Sequence, residues 1–217
     1  MHFIQSHILQ VLTYQRYARF SEMKPARVDS NVYSYHLKTL QKDGYVHKSE
    51  RGYTLSAKGL SYVDALSADH RKARKQPKAI AIFGLQNTKG AWLVVERLTQ
   101  PYIGQFMLPS GKQHFGESPE EHIRRELREQ LGTVPDVRRC GYSDVRIHKD
   151  GEVITHICGH VYSGKFNGPL PDGNKKFRYV FLDKGHRNLV ARTTDLIEAI
   201  ETSSEPFFRS FDAEAGE

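Results

Sequence analysis

Residues 111–133, GKQHFGESPEEHIRRELREQLGT, decide the fold of the larger part of this 217-residue chain. In this stretch Ser118 precedes Pro119, and Glu121 follows at the third helical position. A hydroxyl N-cap, a proline at the first helical position and a glutamate that closes a capping box together mark a helix start. The sequence therefore predicts a helix that begins at Pro119, directly after a glycine-rich loop.

The same segment predicts which side of that helix is buried and where the helix ends. Ile123, Leu127 and Leu131 recur at a spacing of four, which places them in one apolar stripe. Gly132 follows the last of them and tolerates the positive φ of a helix C-terminus. We therefore expect an amphipathic helix of about three and a half turns.

Two carboxylates and an amide share another face of the helix. Glu126, Glu129 and Gln130 are related as i, i+3 and i+4. Neighbouring anions repel one another unless a cation lies between them, and oxygen ligands beside a glycine-rich loop suit magnesium or manganese, which bridge to substrate phosphates. Arg125 is then free to pair with Glu117 across the loop. The spacing indicates chemistry on a phosphate.

The segment resembles the Nudix box, G-x5-E-x7-R-E-U-x-E-E-x-G-U, in which U is aliphatic. The residues on its fixed positions are Gly111, Glu117, Arg125, Glu126, Leu127, Glu129 and Gly132. Gln130 stands where the pattern has a second paired glutamate, and Thr133 replaces the closing aliphatic residue. An amide coordinates through its oxygen but carries no charge, so we expect weaker metal binding or the loss of one ion.

This resemblance implies an α/β/α sandwich over about residues 79–208, and the hydrolysis of a nucleoside diphosphate linked to another group, with Mg2+ or Mn2+ as cofactor. The catalytic residues that it implies are Glu126, Glu129, Arg125 and Glu117, and the box glycines are Gly111 and Gly132. The metal ligands that it implies are Glu126, Glu129, Gln130 and the backbone carbonyl of Ser110. Glu126 would also help to remove a proton, and Gln130 would orient a metal-bound water. The alternative is an ordinary surface helix with solvated charges.

Other residues of the C-terminal part are open candidates. An additional acidic residue could come from Asp150, Glu152, Asp172 or Asp195, for each of which a loop or cap role is the alternative. A nucleotide base could stack on Tyr102, Phe106, Phe177 or Tyr179, for which core packing is the alternative. Subfamilies that act on ADP-ribose or dinucleoside polyphosphates carry a marker proline or tyrosine past the box. No proline occurs between Pro135 and Pro169, which argues against ADP-ribose.

The surrounding pattern is that of strands. Apolar runs at residues 79–85 and 92–98 flank a turn, and residues 138–147 and 152–164 flank a hairpin signal at Lys149, Asp150 and Gly151. A further strand is predicted at residues 176–184 and a final helix near residues 194–201. Strands around one helix agree with the sandwich that the resemblance implies.

Charge is distributed unevenly along the chain. The net charge is +7, and residues 1–78 contain 14 Lys and Arg against 6 Asp and Glu, whereas residues 79–217 contain 18 against 19. The N-terminal third therefore carries the whole excess of positive charge. We therefore expect this third of the chain to bind an anionic partner, and nucleic acid is the leading candidate.

The N-terminal third also has a recognisable order of elements. An apolar helix face is predicted from Phe3, Ile4, Ile8, Val11 and Leu12. A second helix runs over residues 30–42, two short strands over residues 45–48 and 53–55 form a hairpin, and a helix from Ser56 closes the core with Leu60, Val63 and Leu66. This order resembles the winged helix-turn-helix domains of bacterial and archaeal regulators over residues 1–67, most clearly in SYHLKTLQKDGYVHKSERGYTLSAKG (residues 34–59).

The resemblance implies that the helix of residues 30–42 enters the major groove of DNA. The residues that it places nearest the bases are Asn31, Ser34, Tyr35 and Lys38, and it places Arg51, in the wing, near phosphate. Ser30 and Lys42 complete the residues predicted to face DNA. The alternative is a winged-helix module used for protein contact or dimerisation, so a homodimer stays open. RNA is disfavoured because the sequence offers no aromatic base-stacking platform there.

The remaining features set the domain boundaries and the compartment. Residues 68–78 are charged and close on Pro77, so they are interpreted as a basic linker between the winged helix and a hydrolase domain at residues 79–217. Cys140 and Cys158 lie in strand-like segments without metal-ligand spacing, which favours buried thiols in a reducing compartment. No run of eighteen apolar residues occurs, so a soluble, cytoplasmic protein without membrane contact is expected.

Two functions therefore follow from the sequence. One is a metal-dependent pyrophosphohydrolase tethered to a DNA-binding module. The other is a transcriptional regulator whose C-terminal domain binds a nucleotide-type metabolite with little or no hydrolysis, because Gln130 lacks the charge of a glutamate.

Overall fold

The computed structural model describes residues 1–66, 75–99, 102–183 and 185–214. The chain divides into two compact units, Met1–Lys75 and Gln76–Glu217. Most of the predicted linker lies outside the described residues. Its last residue, Lys78, is already the first residue of a strand, so the second unit begins slightly earlier than predicted. Among the described helices none is both long enough and apolar enough to span a membrane.

The described part of the first unit contains three helices and one hairpin. They are α1 (Phe3–Tyr14), α2 (Ser30–Lys42), β1 (Val46–Ser49), β2 (Gly52–Leu55) and α3 (Ala57–Asp64). The Asp29 carboxylate caps α2 by accepting hydrogen bonds from the amides of Asn31 and Val32. β1 and β2 pair antiparallel, and an isolated bridge between Ala18 and Tyr53 adds a third extended segment to the hairpin. The order of elements that the sequence predicted is therefore present.

The core of the first unit differs from the prediction at two residues. Phe3, at the first position of α1, is exposed, whereas Leu9 of the same helix is buried. Leu60 is exposed because the neighbouring Gly59 takes the inward position of α3, where a Cβ atom would lie 2.1 Å from the Tyr45 carbonyl oxygen. Only a residue without a side chain permits so close an approach of helix to backbone.

The second unit is built on one mixed sheet. Its elements are β3 (Lys78–Gln86), β4 (Trp92–Arg97), β5 (Phe106–Met107), β6 (Ser110–Lys112), α4 (Pro119–Leu131), β7 (Val137–Lys149), β8 (Glu152–Lys165), β9 (Phe177–Leu182), α5 (Thr193–Thr202) and β10 (Phe207–Glu214). The strand order is β10-β7-β8-β3-β4-β5, with β6 paired to β3 and β9 paired to β4. β10 pairs with β7, and β3 with β8, in parallel, and the other pairs are antiparallel. The sequence did not predict β10.

Alternation along β3 explains why helices cover both faces of the sheet. Ile80 and Ile82 pack in one apolar cluster with Leu196, Ile197 and Ile200 of α5. Ala81, Phe83 and Leu85 point to the opposite face and pack with Ile123 and Leu127 of α4. Successive side chains of a strand point to opposite faces, so a strand that is apolar throughout must be covered twice. The predicted α/β/α layering is confirmed for this unit.

The same contacts fix the position of the predicted metal-binding segment. Ser110 and Gly111 of β6 pair with Ile82 and Ala81 of β3, which anchors the start of the glycine-rich loop to the central sheet. The Tyr162 hydroxyl of β8 donates to the carbonyl of Pro119 at 3.1 Å and so holds the first turn of α4. The glycine-rich loop and helix α4 are therefore both anchored to the central sheet.

Candidate functional site

Helix α4 has the ends that the sequence predicted. It begins at Pro119, and the Ser118 hydroxyl and Glu121 carboxylate form a reciprocal capping box. It ends at Gly132, whose φ of 69° is in the left-handed region. Ile123 and Leu127 are buried against the sheet. His122 and Glu126, which flank this stripe on the helix, are buried as well and contact the loop.

Arg125 joins the loop to the helix. Its Nε and Nη2 atoms donate to the two oxygens of Glu117 at 2.5 and 3.0 Å, which confirms the predicted pair. Nη1 donates to Glu126 at 2.9 Å and to Glu129 at 3.1 Å, and Nη2 also donates to the carbonyl of Lys112. These hydrogen bonds to Arg125 lower the pKa of Glu117 to about 2. Glu117 therefore stays ionised at neutral pH.

Gly111 lets the Glu126 carboxylate approach the loop backbone. A Cβ atom at residue 111 would lie between 1.8 and 2.1 Å from the carboxylate atoms of Glu126. Glu126 itself is only 6% exposed, which is unusual for a glutamate. The box glycine is therefore required here by space, since its φ is not in the left-handed region.

Gln130 contributes its amide nitrogen to the site, where the sequence reasoning expected its oxygen. The nitrogen donates to the Ser110 carbonyl at 3.1 Å and to Glu126 Oε2 at 2.6 Å, while the amide oxygen accepts from the Tyr179 hydroxyl at 3.0 Å. A carbonyl and a carboxylate only accept hydrogen bonds, so their positions fix the orientation of the amide. The expected metal-ligand role of the Gln130 oxygen does not fit this orientation.

The sequence reasoning missed His122. This side chain is 1% exposed, and its Nε2 lies 3.1 Å from the Gly111 carbonyl and 3.8 Å from Glu126 Oε1. Burial is the main cause that lowers its pKa, so the imidazole is neutral at pH 7 and donates from Nε2 to the carbonyl. Its spacing of four from Glu126 was the available signal, because it places both residues on one helix face.

The four aromatic candidates lie within the packing of the second unit. Tyr102 is buried and its hydroxyl lies 3.5 Å from Thr155, Phe106 packs edge-on against His186, and Phe177 packs edge-on against Tyr179. Tyr179 is buried and its hydroxyl orients Gln130, a role that the sequence reasoning did not foresee. The packing interpretation agrees with all four positions.

The four acidic candidates are not joined to the box by a hydrogen bond or ion pair within the described residues. Asp150 occupies the β7–β8 turn with a φ of 53°, and Glu152 is the first residue of β8. Asp172 is exposed in an irregular segment, and Asp195 lies 3.8 Å from Arg192 on α5. Turn and ion-pair contacts account for Asp150 and Asp195.

An open surface cavity of about 590 Å3 lies beside the loop and α4. Its lining consists of Phe115, Gly116, Glu117, Glu121, Arg124, Arg125 and Arg128. This volume is in the range of small-molecule sites, and three arginines suit an anionic ligand. A second cavity, which Ser110 lines on the α5 side, measures about 50 Å3 and is too small for a nucleoside.

The residues predicted to face DNA lie in the first unit. On α2 the side chains of Asn31, Tyr35, Lys38 and Lys42 are exposed, and Ser34 is half-buried. Ser30 is exposed and its hydroxyl accepts from Lys24 Nζ at 2.9 Å. Arg51 is exposed in the β1–β2 turn, with its guanidinium 5.8 Å from the ring centroid of Tyr17. Tyr33, Leu37 and Leu40 are buried on the other side of α2.

Known proteins resemble parts of this chain. One curated relative, called ADP-ribose pyrophosphatase, from Methanocaldococcus jannaschii, is 35% identical over 60 residues, which are 28% of this chain and 36% of the relative. The chain thus spans about a third of the length of that relative. The crystal structure of a mMutator MutT protein from Bacillus halodurans matches this chain with a TM-score of 0.52 at 16% identity. The match covers 62% of this chain and 89% of the MutT chain. The NUDIX domain of Shewanella oneidensis NrtR, complexed with ADP ribose, has a TM-score of 0.49 at 16% identity. The match covers 65% of this chain and 96% of the NrtR chain.

The similarity to the MutT structure concerns the fold, since the identity is low. The family assignment rests on the sequence, because residues 75–200 match the NUDIX domain family. This match contains the whole box with its capped helix, the Arg125–Glu117 pair and the buried Glu126. It also covers more than half of the 217 residues, and the chain therefore belongs to the NUDIX domain family.

Proposed function

We propose that the second unit is a metal-dependent hydrolase that cleaves a pyrophosphate bond in a nucleoside diphosphate derivative. The observation that carries this proposal is the convergence of the Ser110 carbonyl and the Glu126 carboxylate on one point. Both accept a hydrogen bond from the same nitrogen atom of Gln130. Two oxygens that share one donor are also placed to share one cation.

The donor set fits a hard divalent ion. Nudix hydrolases generally use divalent metal ions, and this site offers oxygen atoms of Ser110, Glu126 and Glu129 beside a glycine loop. Such ligands favour Mg2+ or Mn2+. When bound, the ion would neutralise charge on phosphate oxygens and make a bound water more acidic.

The chain's own residues have distinct parts in this proposal. Glu126 and Glu129 hold the cation, and Glu126, being buried beside the loop, also accepts a proton from the attacking water. Arg125 is a positioning residue, because it ties both carboxylates to Glu117 and to the loop carbonyl of Lys112. His122 keeps Gly111 against α4 through its hydrogen bond to the carbonyl.

ADP-ribose is the first compound to examine as substrate. The relative named ADP-ribose pyrophosphatase supports it, over 60 residues, whereas the absence of a proline between Pro135 and Pro169 favours another nucleoside diphosphate derivative. A screen should include ADP-ribose, nucleotide sugars, dinucleoside polyphosphates and nucleoside triphosphates with Mg2+ or Mn2+. The nucleoside phosphate products of pyrophosphate cleavage and the thermal shift should be recorded for each. Metal-dependent turnover of any compound supports the hydrolase, and a thermal shift without turnover supports the second function.

The second function is a transcriptional regulator whose NUDIX domain binds a nucleotide-type ligand with little hydrolysis. The observation that favours it is the orientation of Gln130. Its amide nitrogen already donates to Ser110 and Glu126, so an uncharged donor satisfies the oxygens that a cation would otherwise satisfy. Metal binding must then displace two hydrogen bonds, which lowers its affinity.

Replacement of Gln130 by glutamate is expected to raise Mg2+ affinity on the order of tenfold, because one charged ligand is added. Without metal the new carboxylate has no hydrogen to donate to Ser110 or Glu126, so the variant should melt lower than the natural protein and regain stability when Mg2+ is added. Calorimetric Mg2+ titration and melting curves measure both effects. If the natural protein has no activity and Gln130→Glu creates it, the regulator is supported over the hydrolase. Equal Mg2+ affinity in both proteins would contradict the role given to residue 130.

We also propose that the first unit is a winged helix-turn-helix domain that binds DNA. The helix-hairpin-helix order, the exposed polar face of α2 and the exposed Arg51 in the turn support it. So does the excess of 14 Lys and Arg over 6 Asp and Glu in residues 1–78. Phosphate contacts by such residues position a domain on DNA, and base contacts from the helix specify sequence.

Replacement of Arg51 by alanine is expected to weaken DNA binding uniformly across sequences. If the guanidinium neutralises one phosphate, the slope of log affinity against log salt concentration should become shallower by about 1. Fluorescence anisotropy with a duplex at several salt concentrations measures this slope. Lys89→Ala, an exposed lysine of the second unit, is the matched control and should leave the slope unchanged. A slope near zero for the natural protein would contradict DNA binding.

A further inference from the structure

Three side chains that can bind a metal ion lie together on the sheet, outside the NUDIX box. Asp144 of β7 is directly opposite Cys158 of β8, and Arg146 is opposite His156. Residues two apart in a strand point to the same face, so His156 and Cys158 both lie on the face that carries Asp144. The nearest side chains of an antiparallel pair come from such opposite and diagonal positions.

The distances between the three ligand atoms suit one tetrahedral ion. His156 Nε2 lies 3.4 Å from each oxygen of Asp144, and Cys158 Sγ lies 3.7 Å from Asp144 Oδ2. All three ligand atoms lie within 4.8 Å of one another. Bond lengths of zinc to nitrogen, oxygen and sulfur place tetrahedral ligand atoms about 3.3 Å apart for N and O and about 3.6 Å apart for S and O. The two strands therefore hold His156 Nε2 and Cys158 Sγ close to the required separations from the Asp144 oxygens.

The hydrogen bonds within this cluster are long, and they leave one of its polar atoms without a donor. The 3.4 Å contacts of His156 are longer than an ordinary N–H···O hydrogen bond, and Asp144 Oδ1 is buried without a hydrogen-bond partner among the residues that the structure describes. A buried carboxylate oxygen without a donor is unfavourable, and a cation at this position would satisfy it.

The guanidinium of Arg146, beside the cluster, is already paired with another carboxylate. Arg146 Nη1 lies 3.9 Å from Asp144 Oδ1, but its Nε and Nη2 atoms donate to both oxygens of Asp212 at 2.9 and 2.8 Å. His148 Nε2 also lies 3.1 Å from Asp212. Asp212 thus balances Arg146, and Asp144 keeps its charge available for a ligand.

We propose that Asp144, His156 and Cys158 form a binding site for one zinc-class divalent cation, with its fourth position open to water or another ligand. Thiolate and imidazole ligands select Zn2+ over Mg2+, whereas the oxygen atoms of the box favour Mg2+ or Mn2+. The chain therefore has two separate metal sites of different chemical preference. Three protein ligands and an open fourth position are the arrangement of zinc sites that exchange a ligand.

Cobalt titration of the full chain tests this site, because Co2+ replaces Zn2+ and absorbs light when it is bound to a thiolate. The chain should first be treated with a chelator and a reductant. We expect about one equivalent of Co2+ to give a thiolate-to-cobalt charge-transfer band, and added Zn2+ to remove it. Cys158→Ser should abolish the band, and His156→Ala should weaken Zn2+ binding about 100-fold or more, since loss of an outer partner alone costs 10–100-fold.

Matched variants separate this site from the other thiol and from the box. Cys140 is buried and donates to the Val161 carbonyl, so Cys140→Ala should keep the band. The double variant Glu126→Gln, Glu129→Gln should also keep it, because the box contains no thiol. Melting curves check that each variant is folded. Absence of the band in the natural protein, or its persistence in Cys158→Ser, would overturn the proposal.

Discussion

Replacement of Glu126 by glutamine is expected to lower kcat/KM for the pyrophosphate substrate about 1,000-fold, or about 4 kcal/mol in transition-state stabilisation. The two carboxylate oxygens accept from Arg125 at 2.9 Å and from Gln130 at 2.6 Å. An amide offers one oxygen, so its NH2 group would face a donor, and the charge that attracts the cation would be lost. Steady-state kinetics with the best substrate of the screen measures the effect.

The fold should survive this change, because the substituted side chain has the same size. Loss of one hydrogen bond at a buried position predicts a decrease of about 1–3 kcal/mol in the free energy of unfolding. Glu120→Gln is the matched control, since this glutamate lies on the same helix with its side chain 68% exposed. The control should retain full activity. If Glu126→Gln keeps more than about a tenth of the natural kcat/KM, Glu126 has no catalytic role.

Replacement of Gly111 by alanine is expected to reduce kcat/KM by at least about 100-fold, although it adds only one methyl group. The new Cβ atom would lie within 2.1 Å of all three carboxylate atoms of Glu126. The carboxylate must therefore move, and it leaves its hydrogen bonds to Arg125 and Gln130. Kinetics and metal titration of the same preparation measure the loss of activity and of cation binding together.

The effect on stability should be much smaller than the effect on activity. The displaced atoms are the end of a side chain, so the backbone can stay in place, and about 1–2 kcal/mol of stability is lost with the hydrogen bonds. Gly185→Ala is the control, because no atom of another described residue lies within 4 Å of a Cβ atom built there and its φ is not positive. It should leave activity and melting temperature unchanged. Normal metal binding by Gly111→Ala would contradict the placement of the site at Glu126.

Elements whose signals are local were predictable. The start of α4 depends on Ser118, Pro119 and Glu121, which all lie within one turn, and its end depends on Gly132. The β7–β8 hairpin depends on Asp150 and Gly151, both with positive φ. In each case the residues that determine the conformation are neighbours in the chain, so the local sequence is sufficient to predict the conformation.

Predictions failed where burial depends on what approaches a helix from elsewhere. Leu60 matched the apolar periodicity of α3, but Gly59 permits the Tyr45 backbone to approach and takes the inward position. Strand β10 was missed because its alternation is weak, and its place is set by parallel pairing with β7 across more than sixty residues. Sequence patterns do not record which distant backbone a segment contacts.

The sequence by itself determined the NUDIX box, its capped helix and the Arg125–Glu117 pair, because these follow from spacing within one short segment. Only the tertiary structure decided that Gln130 presents its nitrogen to Ser110 and Glu126, since the oxygens of those two residues only accept hydrogen bonds and the Tyr179 hydroxyl of β9 donates to the amide oxygen. It also brought Asp144 to His156 and Cys158 across two paired strands. The orientation of an amide and the assembly of a cluster depend on partners that are remote in the chain and become neighbours only when the sheet forms.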